Sequence, residues 1–235
     1  MTESGTKAAP EAKPRRGRPP STSLNQGLIL DTALAIIERE GADALTLRRL
    51  GTELGANHTA VLRHFAGKDE ILLGLAERLI EEAMDGFVPS AGWRQTLESM
   101  ASRVRAACLA HPQVAVLVAT RVSRRAAEFR GADVVIGALR QAGFEDRDAA
   151  RYYRSLVDTA MALASYEAAV TALDSASLEG DRMAWRREYL AVSPARYPDL
   201  AAVAPFLAEA DEDDQFGTTL GLLLDAVELR ARAGR

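Results

Sequence analysis

The run Thr46–Lys68, TLRRLGTELGANHTAVLRHFAGK, constrains the fold more than any other stretch of the chain. Leu47, Leu50 and Leu54 recur at helical spacing behind Thr46, a residue type that caps helix N-termini. Gly55 supplies the left-handed residue that stops this helix. Asn57 caps the next, from His58 to about His64, with Val61 and Phe65 four apart and facing inward. Helices this short gain little stability of their own, so they must be held across one another by packing against further helices.

The flanking sequence supplies those helices. Leu24–Glu40 carries Leu30, Ala33, Leu34 and Ile37 on one stripe, and Gly41 ends it. A linking helix begins near Lys68-Asp69 and runs to Met84 or Phe87, with Ile71, Leu72, Leu75, Leu79 and Ile80 apolar. Helical periods continue through Trp93–Ala110, Asp133–Ala142, Asp146 to about Leu178, and Asp214–Ala233. Val114–Val122, restarted at His111-Pro112, is almost continuously apolar and is expected to be buried on most sides. Ser177–Arg187 suggests a short extra turn, and Pro194, Pro198 and Pro205 mark an irregular connector. Strand periods and internal repeats are absent from the sequence. The expected fold class is all-α: an N-terminal three-helix helix-turn-helix domain over 24–70, joined through a linking helix at about 68–87 to a larger C-terminal helical domain over 71–235.

Composition restricts the function. The chain has 235 residues, 48% of them hydrophobic and 26% charged, the balance of a soluble globular protein. No apolar run approaches the roughly 20 residues that a membrane span requires. The start MTESGTKAAPEAK has no hydrophobic signal core, and the single cysteine, Cys108, forms no internal disulfide, so a reducing cytoplasm is expected. The net charge of −4 is unevenly spread. Residues 1–22 hold Lys7, Lys13, Arg15, Arg16 and Arg18 against Glu3 and Glu11, whereas Asp211–Asp214 form an acidic run near the end. A small cationic end on an acidic body suits a protein that faces nucleic acid with one end.

Within 46–68 the residue pattern fits a base-reading helix, and it also fits an ordinary packed helical corner with polar surface residues. At 100° per residue, Val61, Leu62 and Phe65 lie on one side, while Thr59, Ala60, Arg63 and His64 lie on the other, with His58 at the N-terminal tip. Base contacts are therefore expected from His58, Thr59, Ala60 and Arg63, the last able to pair bidentately with guanine. Thr46, Arg48, His64 and Lys68 lie at helix ends or flanks, where phosphates are met. The basic arm at 1–23 is expected to be disordered when free. Its Arg16-Gly17-Arg18-Pro19 resembles an AT-hook core, in which Arg15, Arg16 and Arg18 would follow an A·T-rich minor groove. The same arm also reads as a plain solubilising tail.

The segment ILDTALAIIEREGADALTLRRLGTELGANHTAVLRHFAGKDEILLGL resembles the DNA-binding domain of the tetracycline-repressor (TetR) family. The Gly41 stop, the Leu45–Arg48 run, Leu54-Gly55, His64-Phe65 and Lys68 carry the resemblance. Many members have a tyrosine at the place of Leu62, whose hydroxyl reaches a phosphate; leucine cannot make that contact, so it is either lost or supplied elsewhere, for instance by Arg63 or the arm. Trp93–Arg232 is similar to the C-terminal domain of the tetracycline repressor and its relatives, through Trp93-Arg94, His111-Pro112, Ala142–Phe144 and the Asp213–Glu228 helix. That resemblance implies a homodimer in which the long helix and the last helix form a four-helix bundle. Leu156, Ala160, Leu163, Leu220, Leu223, Leu224 and Val227 are the candidate interface residues. It also implies an inducer pocket among the middle helices, with Met100, Val104, Cys108, Leu117, Thr120, Arg121, Leu139, Tyr152, Tyr153, Leu156 and Met161 as candidate walls. Arg121 reads as an anchor for an anionic ligand, as the partner of a buried carboxylate such as Glu167, or as a helix-edge residue.

Leu117 stands where the tetracycline repressor has a magnesium-binding histidine, and Met100 where it has a hydrogen-bonding asparagine. No metal site, no cofactor and a different, largely apolar small-molecule inducer are therefore expected. The expected partners are a double-stranded DNA operator, a second copy and that inducer, with no membrane, and the expected role is a homodimeric repressor released from a palindromic operator. Two rivals stand beside it. A helical dimeric sensor or adaptor would keep the sensing core without sequence-specific DNA binding. An enzyme would need a catalytic cluster, yet His58, His64 and His111 share no metal-ligand spacing and Cys108 lies on an apolar stripe.

Overall fold

The computed structural model describes residues 24–173, 175–209 and 214–233. The basic arm, with Arg15, Arg16 and Arg18, lies outside the described residues, as does the Asp211–Asp213 part of the acidic run. The described residues form α-helices, one 3-10 turn and no strand.

The first three helices build the N-terminal unit, and the fourth leads from it onto the three that follow. α1 (Gln26–Glu40) is capped by Asn25, whose side chain accepts from Leu28 N, and a 3-10 turn at Ala42–Ala44 follows Gly41. α2 (Leu47–Glu53) starts at Thr46, which accepts from Arg49 N at 3.0 Å. α3 (His58–Val61) starts at Asn57, and α4 (Lys68–Met84) follows. Gly55 sits at φ 61°, the left-handed geometry of the turn between α2 and α3. Gly51 explains how close the two helices come. A Cβ there would lie 2.9 Å from the Ala56 carbonyl oxygen and 3.2 Å from His58 N, so only a residue without a side chain lets the turn fold back on α2.

The C-terminal unit contains α5 (Trp93–Ala110), α6 (Pro112–Val118), α7 (Ala126–Ala142), α8 (Asp146–Thr171), α9 (Ser175–Leu190), α10 (Pro198–Glu209) and α11 (Gln215–Ala233). α5, α6, α7 and α8 pack around one another, α4 lies against α5, α6 and α7, and α11 packs on α8. The buried apolar cluster is continuous through both units, from Ile29 and Ile37 through Leu75 and Leu139 to Leu224.

Several boundaries differ from the periodicity. α6 ends at Val118 rather than Val122, and its burial is one-sided: Val114, Ala115 and Val118 are buried, while Val116 and Val122 are exposed. α7 begins at Ala126, seven residues before the expected Asp133, because its N-terminus is capped by a residue distant in sequence. α8 stops at Thr171, although no glycine or proline interrupts the period there. The expected extra turn is the full helix α9, and the expected irregular connector contains α10. Pro198 occupies the first position of α10, where its missing N–H costs nothing. Pro205 lies inside the same helix at an exposed position.

Replacing Gly51 with valine is expected to destabilise the protein by about 1–3 kcal/mol, the usual cost of forcing bulk into a filled contact. The urea midpoint measures it, and an unchanged midpoint would show that the α2–α3 turn can move away.

Candidate nucleic-acid interface and sensing core

α3 is built as a short, rigidly capped reader. Asn57 Oδ1 accepts from Ala60 N at 2.8 Å and from Thr59 Oγ1 at 2.6 Å. The Thr59 hydroxyl therefore spends its proton on the cap and faces outward as an acceptor, a restriction that the residue type alone does not reveal. His58, Thr59 and Arg63 are exposed, and Ala60 is half-buried beside them. The four base-contact candidates thus stand together on and beside one short helix.

Leu62 departs from the helical-angle expectation. Val61 and Phe65 are buried, but Leu62 is 40% exposed. The turn tightens after Val61: Arg63 N donates to Ala60 O at 3.3 Å and His64 N to Val61 O at 2.9 Å, bonds three residues apart instead of four. The wider rotation per residue turns Leu62 out of the core.

The phosphate-contact candidates have different fates. Arg48 is exposed. Thr46 has an exposed side chain whose oxygen caps α2. His64 is half-buried, its carbonyl accepting from Gln26 Nε2 at 3.1 Å, which holds the start of α1 against the end of the reader. Lys68 donates to Ala42 O at 3.2 Å, bracing α4 against the 3-10 turn.

Arg49, next to Arg48, is already engaged. Its guanidinium lies 2.8 Å from Glu40 Oε1 and 2.5 Å from Glu53 Oε2, and Arg39 reaches Glu40 at 2.5 Å and Glu53 at 3.4 Å. These four charges strap the end of α1 to α2. Hydrogen bonds from Arg49, then from Arg39, pull the Glu40 carboxyl down from 4.5 to about 2. They also hold Arg49 more firmly protonated than a free arginine.

The pocket candidates from the middle helices fall in and around one region of the core. Met100, Cys108, Leu139 and Leu156 are buried in the common core. Val104, Leu117, Tyr152, Tyr153 and Met161 are partly buried against it. Thr120 is exposed. Burial pushes the Cys108 thiol up to about 11, so it is packed as a neutral apolar group at neutral pH. Burial, then the charge of Glu128, also raises the Tyr153 hydroxyl. Of the readings open for Arg121, the Glu167 pairing is replaced: Arg121 bonds Asp69 of α4 at 2.5 Å, while Glu167 is held by Arg105 at 2.6 and 2.7 Å. Two surface clefts lie away from them, one of about 460 Å³ beside Glu40, Thr46 and Arg48 and one of about 750 Å³ beside Arg147 and Arg151.

The interface candidates are sorted by burial too. Leu156, Leu220, Leu224 and Val227 are already buried within the single chain, while Ala160, Leu163 and Leu223 are half-buried. The outward apolar residues on the same two helices are Tyr166, 73% exposed, and Leu222 and Leu229, each 66% exposed. The apolar period flags both sets but cannot say which faces outward.

An exposed, capped reader helix set across a second short helix and fused to a helical core defines a helix-turn-helix transcriptional regulator. Residues 29–75 match the bacterial regulatory proteins of the tetR family, and residues 88–230 match the tetracyclin repressor-like C-terminal domain. The chain belongs to the TetR family. The HTH-type transcriptional repressor DrrR1 of Streptomyces coeruleorubidus is 26% identical over 92% of this chain and 81% of its own length. The class A tetracycline repressor of transposon 1721 from Escherichia coli is 30% identical over 89% and 93%. Among solved structures, Streptomyces coelicolor ActR in complex with actinorhodin is 26% identical, with a TM-score of 0.76 over 88% of this chain and 96% of that one. These relatives are transcriptional regulators rather than enzymes, and no single described helix is long and apolar enough to cross a membrane.

Because the folded value for Glu40 lies below its unfolded value, the strap's contribution is complete above about pH 4.5 and is lost as pH falls toward 2. Wild type should therefore melt above Glu40→Gln at neutral pH in low salt, and the two melting temperatures should converge on acidification. All four side chains are partly exposed, so high salt should narrow the gap as well. A gap that persists at pH 2 would assign the effect to packing.

Proposed function

We propose that this protein is a homodimeric repressor that holds a palindromic operator and is released by a largely apolar small molecule. The observation that supports the reading is the reader itself: His58, Thr59 and Arg63 are exposed on and beside a capped helix, with Ala60 half-buried among them. Residues 24–70 act as the DNA-binding domain and residues 71–235 as the sensing and dimerising domain, with α4 as the link. His58 and Arg63 read base edges, Thr59 accepts from them, and Arg48, His64 and Lys68 contact phosphates with Thr46.

One such reader spans only a few base pairs, and a two-fold pair reads an inverted repeat. The outward Tyr166, Leu222 and Leu229 supply an apolar face for the second copy, continuous with Ala160, Leu163 and Leu223 at its edge. Ligand is taken up among α5–α8, where the partly buried Val104, Leu117, Tyr152, Tyr153 and Met161 surround the core. ActR carries actinorhodin on a similar fold, so polycyclic aromatic compounds are the first class to screen. Leucine at 117 supplies no metal ligand, which sets this pocket apart from one that holds magnesium-bound tetracycline.

Selection from a pool of random duplexes tests the reading. It should recover an inverted repeat with half-site centres about one helical turn apart. Arg63→Ala should weaken binding to it by about 1–3 kcal/mol and relax preference at one base pair. Recovery of no sequence would favour a sensor without a DNA site. Leu62 leaves a phosphate contact to be replaced, and the arm is the proposed source. Deleting residues 1–22 should cost at least about tenfold in affinity at fixed salt, about 1.4 kcal/mol. Unchanged affinity would assign the replacement to Arg63.

A further inference from the structure

α6 and α7 are among the helices of the larger domain that begin without a capping side chain of their own. The residues before them, His111 for α6 and Arg125 for α7, make no side-chain cap bond. The first amides of a helix need acceptors, and here both sets find them on the N-terminal helices. Glu38 of α1 accepts from Val114 N, in the first turn of α6, at 3.2 Å. Glu77 of α4, itself buried, accepts from Ala127 N at 2.5 Å and from Glu128 N at 3.4 Å, in the first turn of α7. The buried Ser123 hydroxyl lies 2.7 Å from Glu77 and 2.9 Å from Glu128, closing a small polar cluster under α7.

The loop between α6 and α7 is fixed to the same linking helix. Arg121 meets Asp69 at 2.5 Å and Arg125 meets Glu70 at 3.9 Å. Arg124 is held at φ 57°, with its N–H donated to Glu128 at 2.9 Å. Apolar contacts alone let one helix slide on another. A carboxylate on helix-end amides in a dry site does not slide: turning α4 away from α7 strands the charge and the amides together.

We propose that Glu38 and Glu77 are positioning residues that fix the angle of the reader against the larger domain, and thereby the half-site spacing that the paired protein accepts. The proposal rests on the dimeric reading above. Neither residue touches DNA in this scheme. Each locks one end of the α6–loop–α7 segment to a helix that carries the reader, and in a two-fold pair that angle becomes a centre-to-centre distance on the duplex. The exposed ion pairs of Arg121 and Arg125 can break and reform during a transition, whereas the buried Glu77 cluster defines a discrete state.

The test uses the inverted repeat recovered by selection, together with duplexes whose half-sites are moved apart or together by one and two base pairs. Wild type should prefer its own spacing by about tenfold or more, as expected of a fixed reader pair. Glu77→Ala should reduce that preference to about threefold or less, with binding to a single half-site little changed, because the readers remain intact but unaligned. Glu77→Gln, which keeps an oxygen for Ala127 N–H, should restore most of the preference, and Glu38→Ala should act in the same direction as Glu77→Ala. A full spacing preference in Glu77→Ala, whatever its melting temperature, would overturn the proposal and leave Glu77 a stabilising cap. If Glu77→Ala does not fold, Ser123→Ala and Glu38→Ala carry the comparison, and an undiminished preference in both overturns it equally. A selection that returns a single, non-repeated site fails the dimeric reading instead.

Discussion

Burial of α4 on both sides is the constraint on which the rest of the structure depends. Ile71, Leu75 and Leu79 are buried in the same apolar cluster as Ile29 and Ile37 of α1 and Leu139 of α7. One helix therefore takes part in a single core that runs from α1 to α7, and a reorientation at one end requires repacking at the other. Close-packed interiors favour a few discrete arrangements over continuous bending. The reader is closely set: the turn before α3 meets the backbone of α2 at Gly51, where a Cβ would lie 2.9 Å from the Ala56 carbonyl oxygen.

Much of this organisation is legible in the sequence, because it rests on short-range chemistry. Thr46, Gly55 and Asn57 announce their caps and turn, and each occupies that place in the structure. The start of α6 at Pro112 and the span of α5 follow from the same local rules. The family resemblance adds what periodicity lacks, since neither a second copy nor a ligand is written in a 3.6-residue period.

What escaped the sequence is long-range. The early start of α7 depends on a carboxylate 50 residues away, and the engagement of Arg49 on one nine residues before it. Nothing local distinguishes Arg48 from Arg49, yet one is exposed and the other is strapped. Leu62 misled for a different reason: a uniform 100° per residue fails once the last turn of α3 tightens. The proline-rich stretch near 198–205 looked irregular because proline is usually a stop, but position within the helix and exposure decide its effect.

The strap between α1 and α2 has a thermodynamic consequence beyond holding two helices together. Protein cations that neutralise phosphates release condensed counterions from DNA, and the number of such contacts sets how steeply binding falls as salt is added. Arg39 and Arg49 already have carboxylates as their counterions, so they contribute little to that number. On the proposed contacts, the reader's ionic-strength dependence then follows Arg48, Lys68 and the arm rather than its full complement of basic residues. A larger share of its affinity is left to contacts that salt does not screen, which is the condition under which sequence, rather than charge, decides where a protein rests on a long duplex.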